Sequence, residues 1–222
     1  SLIDHNTNIM KKTVLFFAFG LLALSGFAQS AKYDAAMQAQ IAKLATAHTD
    51  NSYPALANSF ERIGDAEKTQ WLPYYYAAYA TVMGAFMEKD PSKVDAVADK
   101  AETLINKAES LAGSPNSELY VVKSMIATAH LQVDPQSRWQ QYGQVSAENI
   151  AKAKQADPTN PRPVYLEAQS SFFTPEAFGG GKKVAKPIFE KALAMFPAFK
   201  PAGALYPTWG KEATEYFLSQ CQ

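Results

Sequence analysis

Three stretches of this chain align with one another without gaps: AETLINKAESLAG from Ala101, SAENIAKAKQADP from Ser146 and AKPIFEKALAMFP from Ala185. In each, a small residue is followed four positions later by a large apolar one, and three positions after that by alanine. The triplets are Ala101, Ile105 and Ala108; Ser146, Ile150 and Ala153; Ala185, Phe189 and Ala192. Lysine precedes the last alanine each time, at Lys107, Lys152 and Lys191. Positions i, i+4 and i+7 lie on one helix face. Small residues at the ends of such a triplet let a neighbouring helix come close, and the large residue between them fills the space left. Pro158 and Pro197 follow the second and third triplets by five residues, and Pro115 follows the first two residues later. Proline there ends the helix and starts a connection. A motif repeated in phase restricts the chain to stacked helical pairs.

The rest of the chain agrees with an all-α class. Alanine is abundant, alternating β-branched runs are absent, and glycine and proline fall between periodic segments. The pattern predicts helices at 32–48, 54–65, 68–88, 91–112, 117–132, 144–156, 161–172, 182–196 and 208–220. Asp90-Pro91 and Asp134-Pro135 are helix starts. The carboxylate accepts from free N–H groups, and proline is tolerated in the first turn.

With its small, large apolar, alanine and proline positions, the chain resembles the tetratricopeptide repeat (TPR) family over about 68–197. KAKQADPTNPRPVYLEA, Lys152 to Ala168, is similar to a junction between two such repeats. In the repeat frame, the small residue of the first helix falls on Ala78, Ser124 and Ala168, and the aromatic-type position on Tyr74, Tyr120 and Val164. The leucine position holds Ala77, Lys123 and Glu167, which departs from the family, and the repeats are spaced wider than its roughly 34 residues. The resemblance implies a right-handed superhelix of antiparallel helix pairs, about three degenerate repeats with flanking helices. It also implies a concave groove of first helices that takes a protein or peptide partner. Tyr75, Tyr79, Lys123 and Glu167 are the residues assigned to that surface. The chain is similar as well to exported TPR proteins of Gram-negative bacteria, and its glycine-rich turn to periplasmic TPR proteins associated with TRAP transporters.

Met10-Lys11-Lys12, the apolar run VLFFAFGLLAL from Val14 and the small residues Ser25-Gly26-Phe27-Ala28 form a secretory signal pattern over 10–28. Its apolar stretch falls short of the ~20 residues a spanning helix needs. Residues 1–9 have no such character and are read as an upstream, non-structural segment. The expected mature chain, 29–222, is one helical domain, periplasmic or secreted. Lysine plus arginine balance aspartate plus glutamate at 21 each, which gives no electrostatic footprint for nucleic acid or an anionic membrane surface. Cys221, the sole cysteine, leaves no internal disulfide, so apolar packing must hold the fold.

Two further features invite functional readings. Gly179, Gly180 and Gly181 run into Lys182 and Lys183. A P-loop is excluded: Glu176 stands where its first glycine belongs, Lys183 where serine or threonine belongs, and no strand precedes. The glycines either close a long interhelical turn anchored by Phe178 or present a helix N-terminus to an anion. In WLPYYYAAYA, Trp71, Tyr74, Tyr75 and Tyr76 cover most of a helix circumference, with Tyr79 added. Part of that cluster is expected to face outward, either between helices or toward a partner.

Catalytic and metal patterns are poor. Beyond the signal segment only His48 and His130 remain, with no H-x-x-x-H and no cysteine pair, so no metal site is predicted. His130 reads as a packing or capping residue. There is no G-x-S-x-G and no singled-out carboxylate pair. The sequence therefore points to a non-enzymatic scaffold without a cofactor, binding a protein or peptide in the cell envelope. The alternative is a periplasmic small-molecule-binding accessory of an envelope transporter, with Phe178, Gly179, Gly180, Gly181 and Lys182 closing over the ligand.

Overall fold

The computed structural model describes residues 31–114 and 116–222. The expected signal pattern over 10–28, the segment 1–9 and Pro115 lie outside the described residues. The described fold is all-α, with no strand among those residues. A helix covering 31–44 (α1) and the short α2 (Ala47–Asp50) precede α3 (Tyr53–Glu67). The array continues with α4 (Leu72–Met87), α5 (Pro91–Ala112), α6 (Ser117–Val133) and α7 (Pro135–Arg138). A π-helical turn (Trp139–Gly143) leads into α8 (Gln144–Ala156), followed by α9 (Pro161–Phe173), a 3-10 turn (Glu176–Phe178), α10 (Lys182–Met195) and α11 (Lys211–Ser219). No helix among the described residues is long and apolar enough to cross a membrane.

Local chemistry sets the boundaries. Asp90 accepts from Ser92 N–H, Asn116 from Glu118 N–H and Asn160 from Arg162 N–H, each capping a helix start. Proline occupies the first turn of α5 and α9. Gly113 ends α5 in the left-handed region at φ 72°.

All nine residues of the three repeat triplets are buried. α4 packs on α5, α6 on α8 and α9 on α10, and the first members of these pairs also touch in succession, α4 with α6 and α6 with α9. Ala78, Ser124 and Ala168 are likewise buried. Each large triplet residue brings roughly 1.5–3 kcal/mol of apolar burial, and the small residues around it let the helices approach.

The chain after α10 departs from the expected open array. Residues 196–210 turn back across α4. Tyr76 Oη donates to the Leu205 carbonyl at 2.8 Å, Trp209 Nε1 donates to Tyr75 Oη at 2.9 Å, and the Trp209 ring stacks on Tyr79 at 4.7 Å between centroids. Tyr206 meets Trp71 edge-on at 5.6 Å. The segment is further fixed by Arg162, whose Nη1 donates to the Trp209 carbonyl at 3.2 Å. α11 then packs on α10, with Phe217 stacked on Phe189 at 5.7 Å.

With α3, α5, α6 and this segment around it, α4 has no outward face for its tyrosines. Tyr74, Tyr75, Tyr76 and Tyr79 are all buried, so the expectation that some of these tyrosines face outward is corrected in favour of packing between helices, and Trp71 alone of the cluster stays partly exposed. A helix apolar on every side is a helix surrounded on every side.

Candidate functional site

Tyr75 and Tyr79 lie under the chain's own C-terminal segment rather than on a free groove. Tyr75 Oη accepts from Trp209 and donates to Glu118 Oε2 at 3.4 Å, and burial pushes its phenol well above its ordinary pKa. Lys123 and Glu167, polar where the repeat family has leucine, pair across helix boundaries. Lys123 Nζ meets Glu109 Oε2 at 2.7 Å, and Lys154 Nζ meets Glu167 Oε2. The four residues assigned to a partner surface are thus engaged inside the fold or between neighbouring helices.

The glycine turn is a closed piece of backbone. Gly179 N–H donates to Glu176 O, Gly180 N–H to Pro175 O, and Gly181 N–H to Ser171 O. No amide of the three is left to bind an anion. Gly179 and Gly181 adopt φ 83° and 96°, and a Cβ on Gly180 would fall 2.3 Å from the Thr174 carbonyl oxygen. These positions require glycine for the turn itself. Phe178 is 81% exposed and does not anchor the turn. Lys182 Nζ lies 5.9 Å from the Phe172 ring centroid.

An opening lies elsewhere, between α3, α4 and α5. It is a groove of about 560 Å³, within the ~300–1,000 Å³ typical of small-molecule sites. Ala57, Ala80, Thr81 and Gly84 form its floor. Pro54 and Asn58 of α3 make one wall, and Ala96 and Val97 of α5 the other. Met87, Glu88 and Lys89 close one end, with Asn51 and Lys100 at the rim. The glycine turn lines no part of it.

The groove has room because the side chains on its floor are small. Gly84 sits inside α4, where glycine costs roughly 1 kcal/mol relative to alanine. Packing does not demand it: a Cβ there would make ordinary contacts, 3.9 Å from Tyr53 Cβ and 4.0 Å from Pro54 Cγ. What the missing side chain leaves is room in the groove. Lys100 Nζ is 3.3 Å from Glu61 and 3.4 Å from Asn58, whereas Lys89 makes no ion pair among the described residues. The groove is therefore a mostly apolar slot with a free ammonium at its rim.

The sequence reading missed this groove because its residues come from three helices and carry no motif. Gly84, an isolated glycine inside a helical run, was the available signal.

No protein-family model matches the chain, and no curated protein sequence matches it. Among solved structures the fold is similar to the HusA haemophore from Porphyromonas gingivalis, with a TM-score of 0.74 and 39% sequence identity. The likeness covers 86% of this chain and 92% of that one. On that identity and coverage, the chain belongs to the family of the HusA haemophore.

Proposed function

We propose that the protein is an exported, non-catalytic binding protein that carries haem in the groove between α3, α4 and α5. The observation that supports this most directly is the 39% identity with a haemophore over 92% of that chain. The groove suits the chemistry. Haem is a flat apolar ring with two carboxylates on one edge. A floor of alanine and glycine admits a flat ring, and Lys89 gives a carboxylate a free cationic partner, with Lys100, paired to Glu61, nearby. The buried repeat triplets support reading the scaffold as a divergent TPR array, in which α4 and α5 would be one repeat unit.

Titration of the protein with hemin, followed through the Soret absorption, tests the reading. Saturation at one hemin per chain is expected, with affinity reduced at least about tenfold in Gly84→Leu, whose side chain would occupy the floor. Absence of saturable binding, or unchanged affinity in a folded Gly84→Leu variant, would overturn it.

A protein partner is the second reading, favoured by the aromatic patch at the far end of the array. Phe173 and Tyr216 are 63% and 60% exposed beside Phe217, and Phe178 lies in the adjoining turn. Crosslinked capture from the envelope fraction tests it: one stoichiometric protein, lost in Phe173→Ser with Tyr216→Ser, is expected.

A further inference from the structure

On a different face of α5 from the groove, Asp99 and Glu102 stand one helical turn apart and face His130 of α6. One ligand atom from each lies within 4.8 Å of the other two. We propose that Asp99, Glu102 and His130 form a binding site for a divalent transition-metal ion.

The histidine carries the argument. Its side chain is 8% exposed, and its two nitrogens have different surroundings. Nδ1 lies 2.7 Å from Asp95 Oδ1. Asp95 is held in turn by the Arg138 fork, Nη1 to Oδ1 at 2.7 Å and Nη2 to Oδ2 at 2.9 Å. A carboxylate in that grip stays ionised and only accepts, so Nδ1 is the donor. The other nitrogen, Nε2, makes no hydrogen bond among the described residues and points at the two acids, 3.5 Å from Asp99 Oδ1. The Tyr142 ring, presented by the π-helical turn, stacks on the imidazole at 4.8 Å and fixes its plane. Arg138 Nη1 also donates to the His130 carbonyl at 3.0 Å.

This is the arrangement of a metal-binding histidine: one nitrogen donates to a buttressing carboxylate, and the other offers its lone pair to the ion. With metal–ligand bonds of about 2.0–2.2 Å, a tetrahedral site places ligand atoms roughly 3.3 Å apart. Asp99 and Glu102 are exposed and can rotate inward by that amount. One imidazole with two carboxylates selects a borderline ion such as zinc over calcium or magnesium, which take oxygen ligands. Three protein ligands leave a fourth position open. No spacing motif in the sequence marks such a site, because its three residues come from two helices.

Calorimetric titration of the full chain with zinc chloride tests the proposal. One ion per chain is expected, with the affinity unchanged by His48→Ala. Binding should weaken at least about 100-fold in the double variant Asp99→Asn, Glu102→Gln, which removes only exposed groups. Loss of the buttress in Asp95→Asn should weaken it about 10–100-fold. Zinc should also move the His130 ring resonances in the parent protein and leave them in place in the double variant. No saturable binding, or equal affinity in a folded double variant, would overturn the site and identify His130 as an ion-paired core residue bridging Asp95 and Asp99.

Discussion

Arg162 and Glu118 form an ion pair sealed inside the protein. Arg162 Nε is 2.8 Å from Glu118 Oε2 and Nη2 is 2.5 Å from Oε1, with the side chains 1% and 7% exposed. Asn160 Nδ2 also donates to Glu118 Oε1 at 2.7 Å, and the Arg162 guanidinium lies 4.9 Å from the Phe199 ring. The pair ties α6 and α9 to the C-terminal segment. A buried pair contributes little net stability when intact, but removing one partner strands a charge. Arg162→Leu alone should destabilise by about 3–5 kcal/mol, and adding Glu118→Leu should restore part of that. Urea unfolding of the single and double variants reads the difference; equal losses would argue against the pair as the source.

Trp209 is the plug over α4, stacked on Tyr79 and bonded to Tyr75. Trp209→Ala should lower stability by less than the ~3–5 kcal/mol of a fully buried tryptophan, because the ring is only partly covered. It should also open Tyr75 and Tyr79 to solvent. Tyrosine solvent-perturbation spectra would report that opening, and an unchanged spectrum would count against the plug.

Asp95 is held down to a pKa of about 2 from 3.8, first by the Arg138 hydrogen bonds and then by His130. A depressed carboxylate contributes stability above its unfolded pKa, and that contribution is lost as pH falls through its folded pKa. The advantage of the parent protein over Asp95→Asn should thus be full above about pH 4 and shrink toward pH 2. Melting temperatures measured across that window check it; a gap independent of pH would show that Asp95 acts through something other than its charge.

The glycine turn discriminates sharply between neighbours. Gly179→Ala meets open space but must hold φ 83°, which costs about 1 kcal/mol or somewhat more. Gly180→Ala drives a Cβ into the Thr174 carbonyl and should cost clearly more. Gly84→Ala, by contrast, fits and should stabilise by about 0.5–1 kcal/mol. Thermal unfolding should place Gly84→Ala above the parent, Gly179→Ala below it and Gly180→Ala lowest; any other ranking would refute the steric account.

The sequence by itself determined the helices and their pairing. Proline, glycine and capping residues act within a few positions, so the starts at Asp90-Pro91 and Asp134-Pro135 were legible where they stand. The triplets around Ile105, Ile150 and Phe189 were legible because a helix turns residue spacing into a face. Tertiary structure alone decided what covers α4. Leu205 and Trp209 follow the tyrosines they touch by more than a hundred residues, and no local pattern encodes such a return. The groove over Gly84 and the meeting of Asp99 and Glu102 with His130 arise in the same way. Their residues are ordinary on their own helices, and they acquire a chemistry only when packing sets the helices side by side.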